Sequence, residues 1–254
     1  MLQEIRQAAS SGMPTERGLV VAEGPHLLEE VLRGGRWSVE QVLATGEARM
    51  RFADLLERAP AEIIEVSERA FRTLTAVEHS QGLLTLLKPP TWRWEDLRGL
   101  LSQPASLLLV LDGIQDPGNA GTIVRSAEAF GAAGFVLLKG SVRSSNGKFL
   151  RAAAGSLFRL PFLENLSAPE VLAEFNSQKT PLYALSAGGG QDVRQTDFSG
   201  SCALAVGSEG LGVRAAVMDR AIAVRIPTLH VESLNVAVAC SIALFEASRQ
   251  RMKP

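Results

Sequence analysis

The chain has few cysteines, no long apolar run and almost no net charge. Its two cysteines, Cys202 and Cys240, lie inside apolar segments and lack the spacing of metal ligands. We therefore expect two small core residues of a reducing compartment and no metal site. No apolar run reaches the roughly 18 residues that suggest a membrane span, and residues 1–18 contain no signal-peptide core. These absences predict a cytoplasmic protein without a membrane partner.

The net charge of −1 excludes a uniformly basic surface for nucleic acid, but the charges are unevenly distributed. Residues 1–104 carry 12 Lys and Arg against 15 Asp and Glu, whereas residues 105–254 carry 14 against 12. The positive charge of residues 105–254 is concentrated in one short window of the sequence. This window either binds phosphate groups or is an ordinary solvated face. The window is 139–159, with no acidic residue and with Lys139, Arg143, Lys148, Arg151 and Arg159.

Length and composition fit a soluble protein of two modest domains or one large one, with 254 residues of which 46% are apolar and 21% charged. Residues 18–87 alternate short apolar strands with helices, which predicts a compact α/β unit whose work is binding. The stretch 89–105 contains three prolines and two tryptophans, a composition typical of a semi-rigid linker. We therefore predict a first domain at 1–88, a linker at 89–105 and a second domain at 106–254.

Continuous apolar runs recur through the second domain and predict a mainly parallel sheet. Runs of this kind are typical of central strands that are covered on both faces. Helical segments separate most of them, including one predicted at 122–131, so the fold class is α/β. The predicted strands lie at 107–113, 134–140, 181–187, 202–207 and 223–226.

Two motifs follow buried strands, where ligands gather in open α/β sheets. The first, Asn119-Ala-Gly-Thr-Ile-Val-Arg125, places Arg125 in the first two turns of the predicted helix. The helix dipole favours anions at that end, so Arg125 either binds an anion or is a surface residue. The second, Gly207-Ser-Glu-Gly-Leu-Gly212, lets backbone approach a ligand closely. Its G-x-x-G-x-G spacing fails the dinucleotide-binding pattern, and packing rarely needs a carboxylate such as Glu209 there.

A third motif joins Ile226-Pro227, at a strand end, to Ser233-Leu234-Asn235 before an apolar helix at 234–245. In the structural interpretation Ser233 is the N-cap and Asn235 bonds local backbone. In the functional interpretation this helix start binds a ligand through free backbone N–H groups. Because the helix is apolar on nearly every face, we predict that it is buried against its own domain or a partner subunit.

Together, N-x-G-x-x-x-R, V-G-S-E-G-x-G and I-P…E-S-L-N-V resemble the three motifs of the SpoU/TrmH family of SPOUT methyltransferases, over residues 106–249. That family uses S-adenosylmethionine to methylate ribose 2′-oxygens of RNA. Residues 18–87, with LVVAEGPHLLEEVL and HSQGLLTLL, resemble the small L30e-like substrate-binding domain of its rRNA-directed branch. The resemblance implies a homodimer, an RNA partner (23S rRNA favoured over tRNA) and no metal. It also implies an α/β knot, a deep trefoil that general folding rules treat as an exception.

The resemblance further implies roles for individual residues. Arg125 would reach across the dimer and stabilise the developing alkoxide, because a guanidinium is too hard to deprotonate to act as a general base. Arg143, Lys148 and Arg151 would bind the RNA backbone. The implied catalytic residues are Asn119, Arg125, Glu209, Ser233 and Asn235. The implied cofactor-binding residues are Leu185, Ser186, Ala187, Gly207, Glu209, Gly212, Ile226, Ser233 and Leu234.

One loop departs from the family pattern, and two other functions compete with the methyltransferase. The loop from Thr228 to Glu232 is one residue short and lacks the usual Met and Gly, which leaves the lining of the cofactor pocket open. The competitors are a catalytically silent RNA-binding protein of ribosome assembly and a nicotinamide-dependent oxidoreductase. The intact motif residues argue against the first, and the glycine spacing argues against the second.

Overall fold

The structure is a computed structural model that describes residues 2–75 and 77–252. It forms two compact units, Met1–Thr91 with Arg143–Arg159 and Trp92–Val142 with Leu160–Pro254. Within the described ranges, no helix is long and apolar enough to cross a lipid bilayer.

The strands and helices alternate along most of the chain. The strands are β1 (Val20–Glu23), β2 (Ser38–Ala44), β3 (Glu62–Glu65), β4 (Leu83–Lys88), β5 (Leu107–Asp112), β6 (Gly134–Leu138), β7 (Phe162–Leu166), β8 (Leu182–Leu185), β9 (Gln191–Asp192), β10 (Cys202–Gly207) and β11 (Ile222–Arg225). The α-helices are α1 (Leu2–Ser11), α2 (Pro25–Leu32), α3 (Gly46–Arg51), α4 (Ala53–Glu57), α5 (Glu68–Leu74), α6 (Trp94–Leu101), α7 (Pro117–Ala129), α8 (Gly147–Ala153), α9 (Ser156–Arg159), α10 (Ala168–Gln178), α11 (Ala215–Met218) and α12 (Val236–Arg251).

The first unit is built on a four-stranded sheet in the order β1-β4-β2-β3. Strands β1 and β2 run antiparallel to β4, and β3 runs parallel to β2. The α/β alternation predicted for residues 18–87 is therefore confirmed. Helix α1 was not predicted, although its buried Ile5 and Ala8 pack into the same core as Leu43 and Phe71.

The segment Arg143–Arg159 belongs to the first unit by its contacts, whereas the predicted boundary placed it in the second domain. Ser145 Oγ donates to the carbonyl of Gly12 at 2.6 Å. The ring of Phe158 meets that of Trp37 edge-on, with centroids 5.2 Å apart. The crossover between β6 and β7 carries apolar side chains as well as basic ones, and the apolar ones, including Phe158, are buried. The domain bounds 1–88 and 106–254 otherwise remain a prediction.

The stretch predicted as a linker, 89–105, contains helix α6, and its residues from Trp92 onward belong to the second unit. Leu97 and Leu101 lie in the core of that unit, and the ring of Trp94 meets Phe175 edge-on at 6.5 Å. The prolines lie near a boundary between the two units. The apolar residues between them recur at helical spacing and pack into the core of the second unit.

The second unit contains a seven-stranded sheet in the order β7-β6-β5-β10-β8-β11-β9. Every neighbouring pair is parallel, which confirms the predicted parallel sheet. The five predicted strands are observed to within two residues at each end. Strands β5 and β10 are adjacent in the sheet although about 90 residues separate them, because the chain first builds one side of the sheet and then the other. The carboxyl ends of β5, β10, β8 and β11 therefore share one edge, which is where a ligand site is expected.

Candidate active site

A cleft of about 720 Å³ opens at this edge of the parallel sheet. That volume is typical of sites for ligands of a few hundred daltons. Buried Val206, Val213 and Val224 supply apolar walls, and the ends of β8 and β10 supply backbone polar groups. All nine residues predicted to bind the cofactor line it, namely Leu185, Ser186, Ala187, Gly207, Glu209, Gly212, Ile226, Ser233 and Leu234.

The glycine loop after β10 folds back on itself beside the cleft. A Cβ on Gly207 would overlap the backbone of Gly212 and Val213, so only glycine fits there. Gly212 has φ +66°, a left-handed conformation that suits glycine, and its N–H donates to the carbonyl of Ser208 at 2.8 Å. The loop is consequently a closed turn that presents Glu209 at the mouth of the cleft.

The three sequence motifs meet at one polar cluster formed by Asn119, Glu209 and Asn235. Asn119 Nδ2 donates to Glu209 Oε1. Asn235 Nδ2 donates to Asn119 Oδ1 at 3.1 Å and to Glu209 Oε1 at 3.3 Å. Hydrogen bonds to a charged carboxylate are stronger than those between neutral groups, so Glu209 holds both amides.

Asn235, and not Ser233, is the N-cap of the last helix, so the predicted cap is wrong by two residues. Asn235 Oδ1 accepts from the N–H groups of Ala237 at 2.9 Å and Val238 at 3.3 Å. The oxygen of Asn235 caps α12 while its nitrogen joins the polar cluster, so local backbone bonding is confirmed, and ligand binding at this helix start stays a prediction. Ser233 lies exposed on the cleft wall, and its hydroxyl makes no hydrogen bond to another described residue.

Arg125 lies farther along its helix than predicted. Asp116 accepts from Asn119 N–H at 2.7 Å and caps α7, which begins at Pro117 rather than at residue 122. Asn119 is thus in the first turn and Arg125 in the third, so the argument that the helix dipole opposes an arginine there fails. Arg125 is exposed, does not line the cleft and forms no ion pair with any described residue.

The predicted RNA-binding residues all lie in the Arg143–Arg159 segment of the first unit. Arg143, Lys148 and Arg151 are exposed and form no ion pair within the described ranges. Arg159 differs, because its Nη1 donates to Glu30 Oε2 at 2.8 Å and its charge is compensated.

Sequence reasoning missed an ion pair at the root of the glycine loop. Asp112, at the end of β5, is 1% exposed and bonds the side chain of Arg214. Asp112 Oδ2 also accepts from the N–H of Arg214 at 2.8 Å. A signal was present, because Asp112 ends an otherwise apolar run and an arginine lies two residues after the last glycine of the loop.

Comparison with known proteins identifies the family. The model of the SpoU rRNA Methylase family matches residues 106–245, and that of the MRM3-like substrate binding domain matches residues 14–85. The second match confirms the predicted substrate-binding domain.

Relatives match along most of their length. The 23S rRNA (guanosine(2553)-2′-O)-methyltransferase RlmP of Bacillus subtilis is 32% identical over 233 residues, which are 91% of this chain and 89% of that protein. The 23S rRNA (guanosine-2′-O-)-methyltransferase RlmB of Xylella fastidiosa is 32% identical over 220 residues, 84% of this chain and 88% of that protein. The AdoMet-bound rRNA methyltransferase from Sinorhizobium meliloti superposes with a TM-score of 0.83 at 25% identity, covering 99% of this chain and 95% of that one. With its family model spanning more than half of its residues, the chain belongs to the SpoU rRNA Methylase family.

Proposed function

We propose that this protein methylates ribose 2′-oxygens of RNA, with 23S rRNA as substrate and S-adenosylmethionine as cofactor. The observation that carries the proposal is the polar cluster of Asn119, Glu209 and Asn235, which joins three separate motifs at the mouth of one cleft. The relatives named as 23S rRNA 2′-O-methyltransferases support the substrate, and the AdoMet-bound neighbour supports the cofactor.

The residues of the cleft fit S-adenosylmethionine. The apolar walls of the cleft suit the adenine ring of the cofactor. The turn at Gly207 and Gly212 brings backbone without side chains within reach of a ligand. When bound, the cofactor would supply an electrophilic methyl group, carried on a sulfonium sulfur, for transfer to a ribose 2′-oxygen. The backbone around Leu185 to Ala187, with Ile226 and Leu234, would hold the cofactor in place.

The polar groups of the cleft would orient the reacting atoms. Glu209 fixes the amides of Asn119 and Asn235, so that the cluster is preorganised before substrate arrives. The hydroxyl of Ser233, which has no partner among the described residues, is available to a ligand. Preorganised polar groups of this kind lower the cost of reorganisation during the reaction.

We propose that the active form is a homodimer in which Arg125 acts on the partner's cleft. Helix α12 exposes an apolar stripe at helical spacing, with Val238 at 49%, Ile242 at 37% and Phe245 at 54% exposure. Helix α7, which carries Arg125, packs beside this helix through a 2.7 Å hydrogen bond between Ser126 and Ser241. A second copy that covers the stripe would bring Arg125 to a cleft, where it would stabilise the developing alkoxide.

The remaining proposals concern topology, RNA contact and location. The deep trefoil knot is proposed from the family resemblance, and the return of α12 onto α7 is compatible with it. The exposed Arg143, Lys148 and Arg151 would bind RNA phosphates, and the substrate-binding domain would add contacts. An enzyme acting on rRNA would work in the cytoplasm.

The test is methyl transfer from labelled S-adenosylmethionine to rRNA purified from a deletion strain, followed by mapping of 2′-O-methyl sites. We expect one or a few modified nucleotides that are present in wild-type rRNA and absent from the deletion strain. RNA binding without cofactor binding, measured by calorimetry, would instead identify a silent RNA-binding protein and overturn the proposal.

A further inference from the structure

We propose that Asp112 and Arg214 are positioning residues that hold the glycine loop, and with it Glu209, in the geometry needed for methyl transfer. The expected effect on methyl transfer rests on the proposed function, whereas the geometry of the Asp112–Arg214 pair does not.

Asp112 is adjacent to the start of the loop. In the parallel pairing of β5 with β10, Asp112 is the register partner of Gly207, the last residue of β10. Beyond Gly207 the chain leaves the sheet, so pairing with a neighbouring strand of the sheet no longer fixes the position of the backbone. The carboxylate of Asp112 therefore lies beside the residue at which β10 ends.

Asp112 also binds the end of the loop. One carboxylate oxygen accepts from the side chain of Arg214, and the other accepts from its backbone N–H at 2.8 Å. This carboxylate is fully buried, so Arg214 compensates a charge that would otherwise be costly to keep from water. The chain cannot move at residue 214 without breaking this pair.

Between these two points the loop is closed by the hydrogen bond from Gly212 N–H to Ser208. Glu209 lies inside the closed turn, and its Oε1 accepts from Asn119 and Asn235. Asp112 is thus connected through the loop to the polar cluster without being part of it. A displacement of the turn by about 1 Å is enough to cost on the order of 10²-fold in rate, even when the change lies away from the reacting atoms.

A second ion pair in the same unit offers a matched control. Arg98 Nη2 donates to Glu174 Oε2 at 2.7 Å and Nε donates to the other oxygen, so a guanidinium again binds a buried carboxylate, here without a backbone N–H. Glu174 is also buried, at 8% exposure, but the pair joins α6 to α10 and touches neither the loop nor the cleft. If both ion pairs only stabilised the fold, substitutions in either pair would have the same effect on the loop and on turnover.

The experiment compares Asp112→Asn and Arg214→Lys with Glu174→Gln. Asp112→Asn keeps the shape and removes the charge, whereas Arg214→Lys keeps the charge and the backbone N–H but loses the guanidinium that contacts Asp112 through Nε and Nη2. Four quantities are measured: deuterium uptake at residues 208–213 in the cofactor-free protein, the affinity for S-adenosylhomocysteine, and kcat and KM for methyl transfer. The melting temperature of each variant shows whether it is folded.

We expect faster exchange at residues 208–213 in both loop-pair variants, with kcat reduced about 10²-fold and with wild-type behaviour in Glu174→Gln. Unchanged exchange and turnover in Asp112→Asn and Arg214→Lys would overturn the inference. If Asp112→Asn does not fold, Arg214→Lys decides alone. A wild-type protein that binds no S-adenosylhomocysteine would overturn the proposed function, while the exchange measurement would still test the positioning by Asp112.

Discussion

The Nδ2 group of Asn235 lies 3.1 Å from Oδ1 of Asn119, although 116 positions separate the two residues in the chain. Each amide is held at the first turn or cap of a helix, so neither position depends on a flexible side chain alone. Glu209 bonds both and completes the cluster. The site is consequently rigid where three elements of the second unit converge.

The double role of Asn235 can be separated by substitution. Asn235→Asp should keep the helix cap, because aspartate and asparagine cap equally well, but it replaces the amide donor with a carboxylate facing Glu209. We expect a melting temperature near that of wild type and a loss of methyl transfer of about 10²–10³-fold. Asn235→Ala should lose activity and also about 1 kcal/mol of stability through the missing cap. Full turnover in Asn235→Asp would remove the cluster from the mechanism.

Substitution of Arg125 tests its proposed role at the partner's cleft. Arg125→Lys keeps the charge but loses the planar donor fork, so turnover should fall by about 10²–10³-fold. Affinity for S-adenosylhomocysteine should be unchanged, because the proposed partner of Arg125 is the developing alkoxide of the substrate and not the cofactor. Near-complete turnover in Arg125→Lys would contradict the role.

The apolar stripe on α12 predicts the oligomeric state. Phe245→Asp places a charge in the middle of the proposed interface and should shift the protein from dimer to monomer in analytical ultracentrifugation. The matched control is Met50→Asp, because Met50 is a larger exposed apolar surface, at 79%, on the first unit. The stripe is not the interface if both variants sediment like wild type while remaining folded.

The three exposed basic residues predict a salt dependence of RNA binding. A double variant, Arg143→Ala with Lys148→Ala, should lower the slope of log affinity against log salt by about 0.7–0.9 for each RNA phosphate that the variant no longer neutralises. Arg69→Ala with Arg72→Ala is the control, since both arginines are exposed on α5 of the same unit. Equal slopes for the two double variants would assign RNA binding to another surface.

The Arg98–Glu174 pair predicts a pH dependence of stability. The hydrogen bond from Arg98 lowers the pKa of Glu174 below its ordinary value. Because the folded-state pKa is the lower one, this stabilisation is complete above the unfolded value of about 4.3 and is lost as the pH falls through the folded-state value. Urea denaturation between about pH 5 and pH 3 should therefore show a smaller loss of unfolding free energy in Glu174→Gln than in wild type. Parallel losses would mean that the pair does not contribute.

Local sequence signals predicted the strands of the second unit well. The buried strands were evident because both faces of a parallel strand are covered and read as continuous apolar runs, as in β5 and β10. Helix starts were less well predicted. The N-caps are Asp116 for α7 and Asn235 for α12. Ser233, close to Asn235, is also a residue type that caps helices, and which residue takes the position depends on backbone geometry that composition does not specify.

The sequence by itself determined the α/β class, the parallel sheet and the family, because periodicity and motif spacing are local properties, and the family resemblance indicated nine of the residues that line the cleft. Only the tertiary structure decided that Asn119, Glu209 and Asn235 bond one another, that Asp112 binds Arg214, and that Arg143–Arg159 packs with the first unit. These contacts join residues far apart in the chain. Their distances follow from how strands are ordered in the sheet and where apolar side chains find burial, and neither is visible in a local pattern.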